Sequence, residues 1–271
     1  MPLEIPLFQV DAFTDRPFAG NPAAVCPLRA WLPERSMQAI AAENNLSETA
    51  FFVPEGDGFR LRWFTPTVEI DLCGHATLAS AHVIMAVLEP GRTRVEFTTR
   101  SGKLIVDRAG DVLTMDFPAL PPTPTDGSSR ALAAALGATP TAVLATRSLV
   151  AVFDDAESVR RLRPDLTAVA ALGCRGVIVT APGSGVDGDV DFVSRFFAPA
   201  QGVNEDPVTG SAHCTLTPYW AARLGKPKLR ARQVSARGGE ITCTSRGDRV
   251  DLAGRAVLVI EGVLRLPESF A

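Results

Sequence analysis

No C-x-x-C pair, no pair of histidines at metal-ligand spacing, no block of Lys and Arg and no apolar run long enough to cross a bilayer occurs in the 271-residue chain. Each absence removes a class of function. The five cysteines, Cys26, Cys73, Cys174, Cys214 and Cys243, are odd in number and far apart, which argues against a disulfide framework or a zinc site and fits a reducing compartment. His75, His82 and His213 are the whole histidine inventory, so no metal is expected. Neither a G-x-G-x-x-G nor a P-loop pattern points to an organic cofactor. A net charge of −3 with scattered basic residues gives no electrostatic footprint for nucleic acid. A spanning helix needs roughly 18 to 20 apolar residues in a row, and the opening MPLEIPLFQVDAF lacks the basic-then-apolar pattern of a signal peptide. The expectation is a cytoplasmic protein without membrane, nucleic-acid, metal or cofactor partners.

What is present is one unit written twice. RWFTPTVEIDLCGHAT (Arg62 to Thr77) and RFFAPAQGVNEDPVTGSAHC (Arg195 to Cys214) each end an apparent strand with an Arg, two aromatics, a small residue and a Pro. Cys73 and Asp206 both stand seven residues past that Pro, and a Gly and a small-residue helix follow. RSGKLIVDRAGD from Arg100 matches RGGEITCTSRGD from Arg237 without a gap. The prolines are 133 residues apart and the arginines 137, so the repeat is about half the chain.

Within each half the pattern alternates as half-buried strands do. Pro33 suits the first turn of a helix with Met37, Ile40 and Ala41 on one face, ending near Asn44 and Asn45. SETAFFVP, FRLRWFT, VEFTT, KLIVD and VLTMDF read as strands, and Gly20, Asn21 and Pro22 as a tight loop. HATLASAHVIMAVLE is apolar or small all round, the mark of a buried helix. The second half repeats this order, with a helix from Pro164 and one through SAHCTLTPYWAARLG, where Pro218 calls for a kink or a later start. The fold class is α+β: two pseudo-symmetric domains, each a barrel-like sheet around a central helix, over residues 1–117 and 130–260. A strand from 261–271 could complete the first domain, and the proline-rich segment Pro118 to Ser129 reads as a semi-rigid linker. The two matched loops would face each other across a cleft, a common place for ligands.

The starts of the two central helices carry the candidate chemistry. A helix N-terminus offers unpaired N–H groups and a positive dipole end, so Gly74 with Cys73 and His75, and Gly210 with Asp206, Thr209 and Ser211, suit a small anionic substrate. The plainer alternative is that Asp206, Thr209 and Ser211 only cap their helix. His75 is expected to stay neutral beside its helix start. His82 reads as a satisfied buried histidine, and His213 fits either role. Glu48 is the acid that breaks the symmetry, since aligning the halves sets it against Gly176. Beside an apolar strand it is partly desolvated, which suits acid/base exchange at neutral pH; the competing reading is a capping box on Asn45. Cys73 is either a buried small hydrophobe or one of two bases, with Asp206 in the place of the other.

ENNLSETAFF, CGHATLASAH, EDPVTGSAH and the opening VDAFTDRPFAGNPAAV together resemble the PhzF-like family of phenazine-biosynthesis isomerases, and more distantly diaminopimelate epimerase. The resemblance covers nearly the whole chain. It implies a cofactor- and metal-independent isomerase of the kind that shifts a proton on trans-2,3-dihydro-3-hydroxyanthranilate, with Glu48 as acid/base and His75, Asp206 and Ser211 as further catalytic residues. Gly74, Gly210, Cys73 and Thr209 would line the substrate, a small carboxylate, and a homodimer is compatible with it. The epimerase relatives use a cysteine pair, of which this chain keeps one.

Overall fold

The computed structural model describes residues 3–125, 129–267 and 270. The chain divides into two compact units, Met1–Asp116 with Ala253–Ala271, and Phe117–Leu252. In the first, β1 (Leu3–Ala12), β2 (Asn21–Pro27), α1 (Glu34–Asn44), β3 (Glu48–Glu55), β4 (Gly58–Phe64), β5 (Glu69–Ile70), α2 (Gly74–Val83), β6 (Arg94–Thr99), β7 (Gly102–Ala109) and β8 (Val112–Pro118) follow in order. The second runs through β9 (Thr123–Pro124), α3 (Ser129–Leu136), β10 (Ala142–Ala145), β11 (Leu149–Val152), α4 (Ala156–Arg161), α5 (Leu166–Ala170), β12 (Val177–Pro182), β13 (Phe192–Ala198), β14 (Val203–Asp206), α6 (Gly210–Leu224), β15 (Lys228–Gln233), β16 (Gly239–Ser245) and β17 (Arg249–Gly254). The last strand, β18 (Ala256–Leu266), belongs to the first unit.

The pairings repeat strand for strand. In the first unit β1 and β2 are antiparallel, β2 and β3 parallel, β3 and β4 antiparallel, β4 antiparallel to β5 and parallel to β6, and β6 antiparallel to β7. The second unit makes the same set: β10 and β11 antiparallel, β11 and β12 parallel, β12 and β13 antiparallel, β13 antiparallel to β14 and parallel to β15, and β15 antiparallel to β16. Both the α+β class and the doubling are therefore in the backbone.

Each unit has one helix buried over most of its length, α2 in the first and α6 in the second. α2 touches β1, β2, β3 and β18, and every residue from His75 to Val83 except His82 is buried. Such a helix has no polar face to give to water. It continues as a π-helical turn over Ile84–Leu88. α1 buries Met37, Ile40 and Ala41 as its pattern predicts, in one cluster with Phe51 and Phe64; each large apolar side chain so buried stabilises by about 1.5–3 kcal/mol. It stops at Asn45, which adopts the left-handed conformation that Asn tolerates.

Three details depart from the sequence pattern. Pro218 neither starts nor ends α6, because the Cys214 carbonyl that its missing N–H leaves open accepts the Leu120 N–H at 3.0 Å. That bond also means the proline-rich segment is docked rather than free: Ala119 donates to Asp248 and Thr123–Pro124 pairs with β10, while residues 126–128 lie outside the described residues. At the C-terminus, β18 pairs with β1 from Ala256 onward, so a boundary at 260 falls inside a strand. Among the described residues no helix is long and apolar enough to cross a membrane.

Candidate active site

In the first unit, parallel pairing sets Glu48, the first residue of β3, beside Ala23 of β2, and α2 begins one residue before His75. The His75 ring lies between three side chains. Its Nε2 is 3.1 Å from Glu48 Oε2, and its Nδ1 is 3.1 Å from Asn21 Nδ2 and 3.5 Å from Cys73 Sγ. The Glu48 side chain keeps only 13% of its exposure and that of His75 6%, so both groups act in a medium where charges interact strongly. An amide facing a ring nitrogen can present either its N–H or its oxygen, so Asn21 suits both neutral imidazole and imidazolium.

Asn21 is the partner of His75 that the sequence pattern hides. It opens β2, fully buried, rather than sitting in a loop. The turn that places it needs Gly20, which is at φ +63° and whose Cβ would stand 2.2 Å from the Ala12 carbonyl oxygen.

Burial pushes the Cys73 thiol up to about 11, helped by the Glu48 carboxylate and opposed by His75. At neutral pH Cys73 is therefore a thiol and a poor base. Burial is also the largest influence on His75 and opposes its charge, yet Cys73 and Glu48 outweigh it and hold the imidazolium well above the usual histidine range. The expectation of a neutral His75 weighed the helix N-terminus but not the Glu48 carboxylate that stands 3.1 Å from its Nε2.

In the second unit Thr209 precedes α6 as its N-cap residue, without a side-chain cap bond. Its hydroxyl donates instead to Asp206 Oδ2. Gln233, fully buried on β15, locks this turn: its Oε1 accepts the Thr209 N–H at 2.9 Å, and its Nε2 donates to the Asp206 carbonyl at 2.6 Å and to Thr209 Oγ1 at 3.1 Å. Ser211, next to Gly210 in the first turn of α6, is exposed. Thr209 therefore does not cap the helix through its own side chain. His213 is structural. Its Nδ1 donates to the Thr209 carbonyl at 2.8 Å, and burial lowers it to about 4. His82, expected in the middle of the buried helix, is half-buried, with burial and Arg108 disfavouring its charge.

Register corrects one equivalence. Arg62 donates through Nε and Nη2 to both oxygens of Glu69, and Arg195 does the same to Glu205. Trp63 pairs with Ile70, and Phe196 with Asp206. Asp206 therefore matches Ile70, and counting forward from the two glutamates, Thr209 matches Cys73, Ser211 matches His75 and His213 matches Thr77. Thr77 Oγ1 indeed donates to the Cys73 carbonyl, as His213 does to that of Thr209. Counting from the prolines misled because the second copy spends three more residues, in a 3-10 turn over Pro199–Gln201, before its glutamate. The pairing of Glu48 with Gly176 stands, since Phe51 faces Arg62 and Val179 faces Arg195, each three residues further on.

Glu48, Cys73 and His75 also bring a carboxylate oxygen, a thiol sulfur and an imidazole nitrogen within 4.8 Å of one another. The separation of Glu48 from the other two in the chain conceals this donor set.

The chain matches the model of the phenazine biosynthesis-like family, PhzC-PhzF, over residues 10–262. It is 56% identical to an uncharacterized isomerase of Pseudomonas aeruginosa, covering 97% of this chain and 100% of that one. It resembles the crystal structure of a PhzF-family phenazine biosynthesis protein from Enterococcus faecalis with a TM-score of 0.93 and 47% identity over 97% of this chain and 100% of that one. A predicted epimerase from Pseudomonas aeruginosa shares the fold at a TM-score of 0.74 and 25% identity, over 96% and 99% of the two chains. With this coverage by the family model and by its relatives, the chain belongs to the phenazine biosynthesis-like family and is an enzyme of the isomerase type.

Proposed function

We infer that the protein is a cofactor-independent isomerase that moves a proton on a small carboxylate-bearing metabolite, with Glu48 as the general acid/base. The observation that carries this reading is the contact between Glu48 and His75, a largely buried carboxylate 3.1 Å from a ring held on its other side by Asn21. Glu48 takes a proton from carbon, the electron pair moves into the neighbouring unsaturated system, and the same carboxyl returns the proton to another carbon. His75, fixed by Asn21, steadies the charge that this exchange creates and destroys. Cys73 is the less apt base because burial keeps it a thiol. An epimerase needs a base on each face of the carbon, and the residue matching Cys73 is Thr209, whose hydroxyl is bonded to Asp206. In the second unit, Asp206, Ser211 and the Gly210 turn are candidates for contacts to substrate, to be tested by Asp206→Asn and Ser211→Ala.

The experiment is incubation of the enzyme in deuterated water with a panel of cyclic and acyclic amino and hydroxy acids, trans-2,3-dihydro-3-hydroxyanthranilate among them. Deuterium should enter at carbon in one compound class, and Glu48→Gln should abolish the incorporation. Incorporation undiminished in Glu48→Gln would remove Glu48 from the chemistry.

A further inference from the structure

We propose that β18 is a docking edge for a second copy of this chain, the two β18 strands pairing antiparallel with Val263 on the two-fold axis. At 11 residues β18 is the longest strand among the described residues. It pairs with β1 on one side, and no strand among the described residues pairs with its other side. An open edge presents a row of backbone N–H and C=O groups, a template for one more strand. Such edges are commonly blunted by proline, lysine or a bulge. Neither proline nor lysine occurs between Ala256 and Leu266. The one irregularity lies in the first half: Val10 faces Leu258 and Gln9 faces Ile260, so Val259 is the extra residue of a bulge. From Ile260 to Leu266 the pairing with β1 is regular, and within that stretch Ile260 and Val263 are each 48% exposed.

The side chains of the same stretch, IEGVLRL, indicate what fits it. Its midpoint is Val263. In a two-fold pair every contact occurs twice, and with the axis at Val263 the two regular stretches overlap completely. Ile260 then faces the partner's Leu266, Gly262 faces the partner's Leu264, and Glu261 faces the partner's Arg265. Residues 261, 263 and 265 share one face of the strand, so that face has a valine contact at its centre and an acid opposite a base on either side. Opposite charges directly across a ladder attract, and like charges repel. Moving the axis to Gly262 or Leu264 sets Glu261 against Val263 or Pro267 and loses both pairs. The bulge and the charges therefore select the same centre independently.

The two charges are also available. Glu261 is exposed and makes no ion pair within its own chain among the described residues. Arg265 is bonded through Nε to Glu4 at 3.1 Å, which holds the guanidinium on this face while its other nitrogens have donors to spare.

Sedimentation velocity of the full chain at rising micromolar concentration tests the pairing, with melting curves confirming that each variant is folded. The wild type should be a dimer. Glu261→Arg and Arg265→Glu each put like charges opposite one another twice, so each variant alone should be a monomer. Mixed together they restore opposite charges at both positions, and a heterodimer should form. Val263→Cys should cross-link to itself on mild oxidation, because directly opposed residues have Cα atoms about 4.5–5.5 Å apart, within the roughly 4.4–6.8 Å that a disulfide spans. Ile260→Cys, equally exposed but set against the partner's Leu266, should not. The wild type controls for the native cysteines, of which Cys174 is partly buried and the others buried. A wild type that stays monomeric throughout overturns the proposal, leaving Glu261 and Arg265 as charges that keep the edge apart. A dimer that survives both charge reversals without a Val263→Cys cross-link overturns it in favour of another surface. Monomeric single variants that do not combine on mixing overturn the register.

Discussion

Cys73 and Thr209 are the same position in two copies of one unit: each is the extended residue just before the glycine that begins the central helix. The first copy has a thiol there, beside a histidine and a glutamate. The second has a hydroxyl tied to Asp206 and locked by Gln233. Chemistry by two symmetric thiols is therefore not available to this chain.

That asymmetry separates the two enzymatic readings. Glu48→Gln keeps shape but removes the proton acceptor, so the rate should fall roughly 100- to 10,000-fold, whereas Cys73→Ala should cost less than about tenfold, below that range. Rates measured on the compound that exchanges deuterium, with melting curves as a folding check, decide between them. A dead Cys73→Ala beside an active Glu48→Gln would favour the epimerase.

Glycine at 176 is dictated by its neighbour. A Cβ there would meet the Phe196 ring at 2.5 Å and the Phe197 carbonyl oxygen at 3.0 Å, so the second unit has no room for the acid that Glu48 supplies in the first. Gly176→Ala should destabilise by about 1–3 kcal/mol. Combining it with Phe196→Leu should cost less than the two single changes together, a coupling that denaturant melts of all four proteins measure. Strict additivity would show that the ring is not the obstacle.

Gln233 carries three hydrogen bonds to the Asp206–Thr209 turn from a fully buried position. Gln233→Leu keeps the bulk and deletes all three, which should cost at least about 1–3 kcal/mol because buried backbone groups lose their partner. If the turn also holds Asp206 for catalysis, the rate should fall at saturating substrate in protein that is still folded. A variant as stable as the wild type would contradict the role assigned to this amide.

The strands and both central helices are legible in the sequence because their patterns are local: alternation in FRLRWFT, and small apolar residues all round α2. What needed coordinates was anything set by pairing between distant segments. Asn21 looked like part of a turn because its Gly and Pro neighbours are turn formers, but the ladder with β1 draws it into a strand. Gln233 sits in the polar run KLRARQ, where only alternation shows that it points inward. The mismatch of Cys73 with Asp206 came from a local count across a turn of unequal length, which only the register with β4 and β13 exposes.

His213 makes one acid-sensitive contribution to stability. Burial lowers it to about 4 in the folded protein, while in the unfolded chain it titrates near 6.5, the usual value for histidine. Between those values the unfolded chain binds a proton that the native state excludes, so stability falls as the pH drops through this window and is unaffected above it. The loss from this one group is on the order of 3 kcal/mol when the window has been crossed. The first unit solves the same problem with Thr77, whose hydroxyl donates to the Cys73 carbonyl without any titratable group. His213→Asn keeps a donor toward the Thr209 carbonyl and removes the titration, so it should be less stable than the wild type at pH 8 but should lose less on acidification. Urea melts of both proteins at pH 8, 6.5, 5.5 and 4.5 give the comparison. Parallel falls in the two proteins would mean that the buried ring is not what acid attacks.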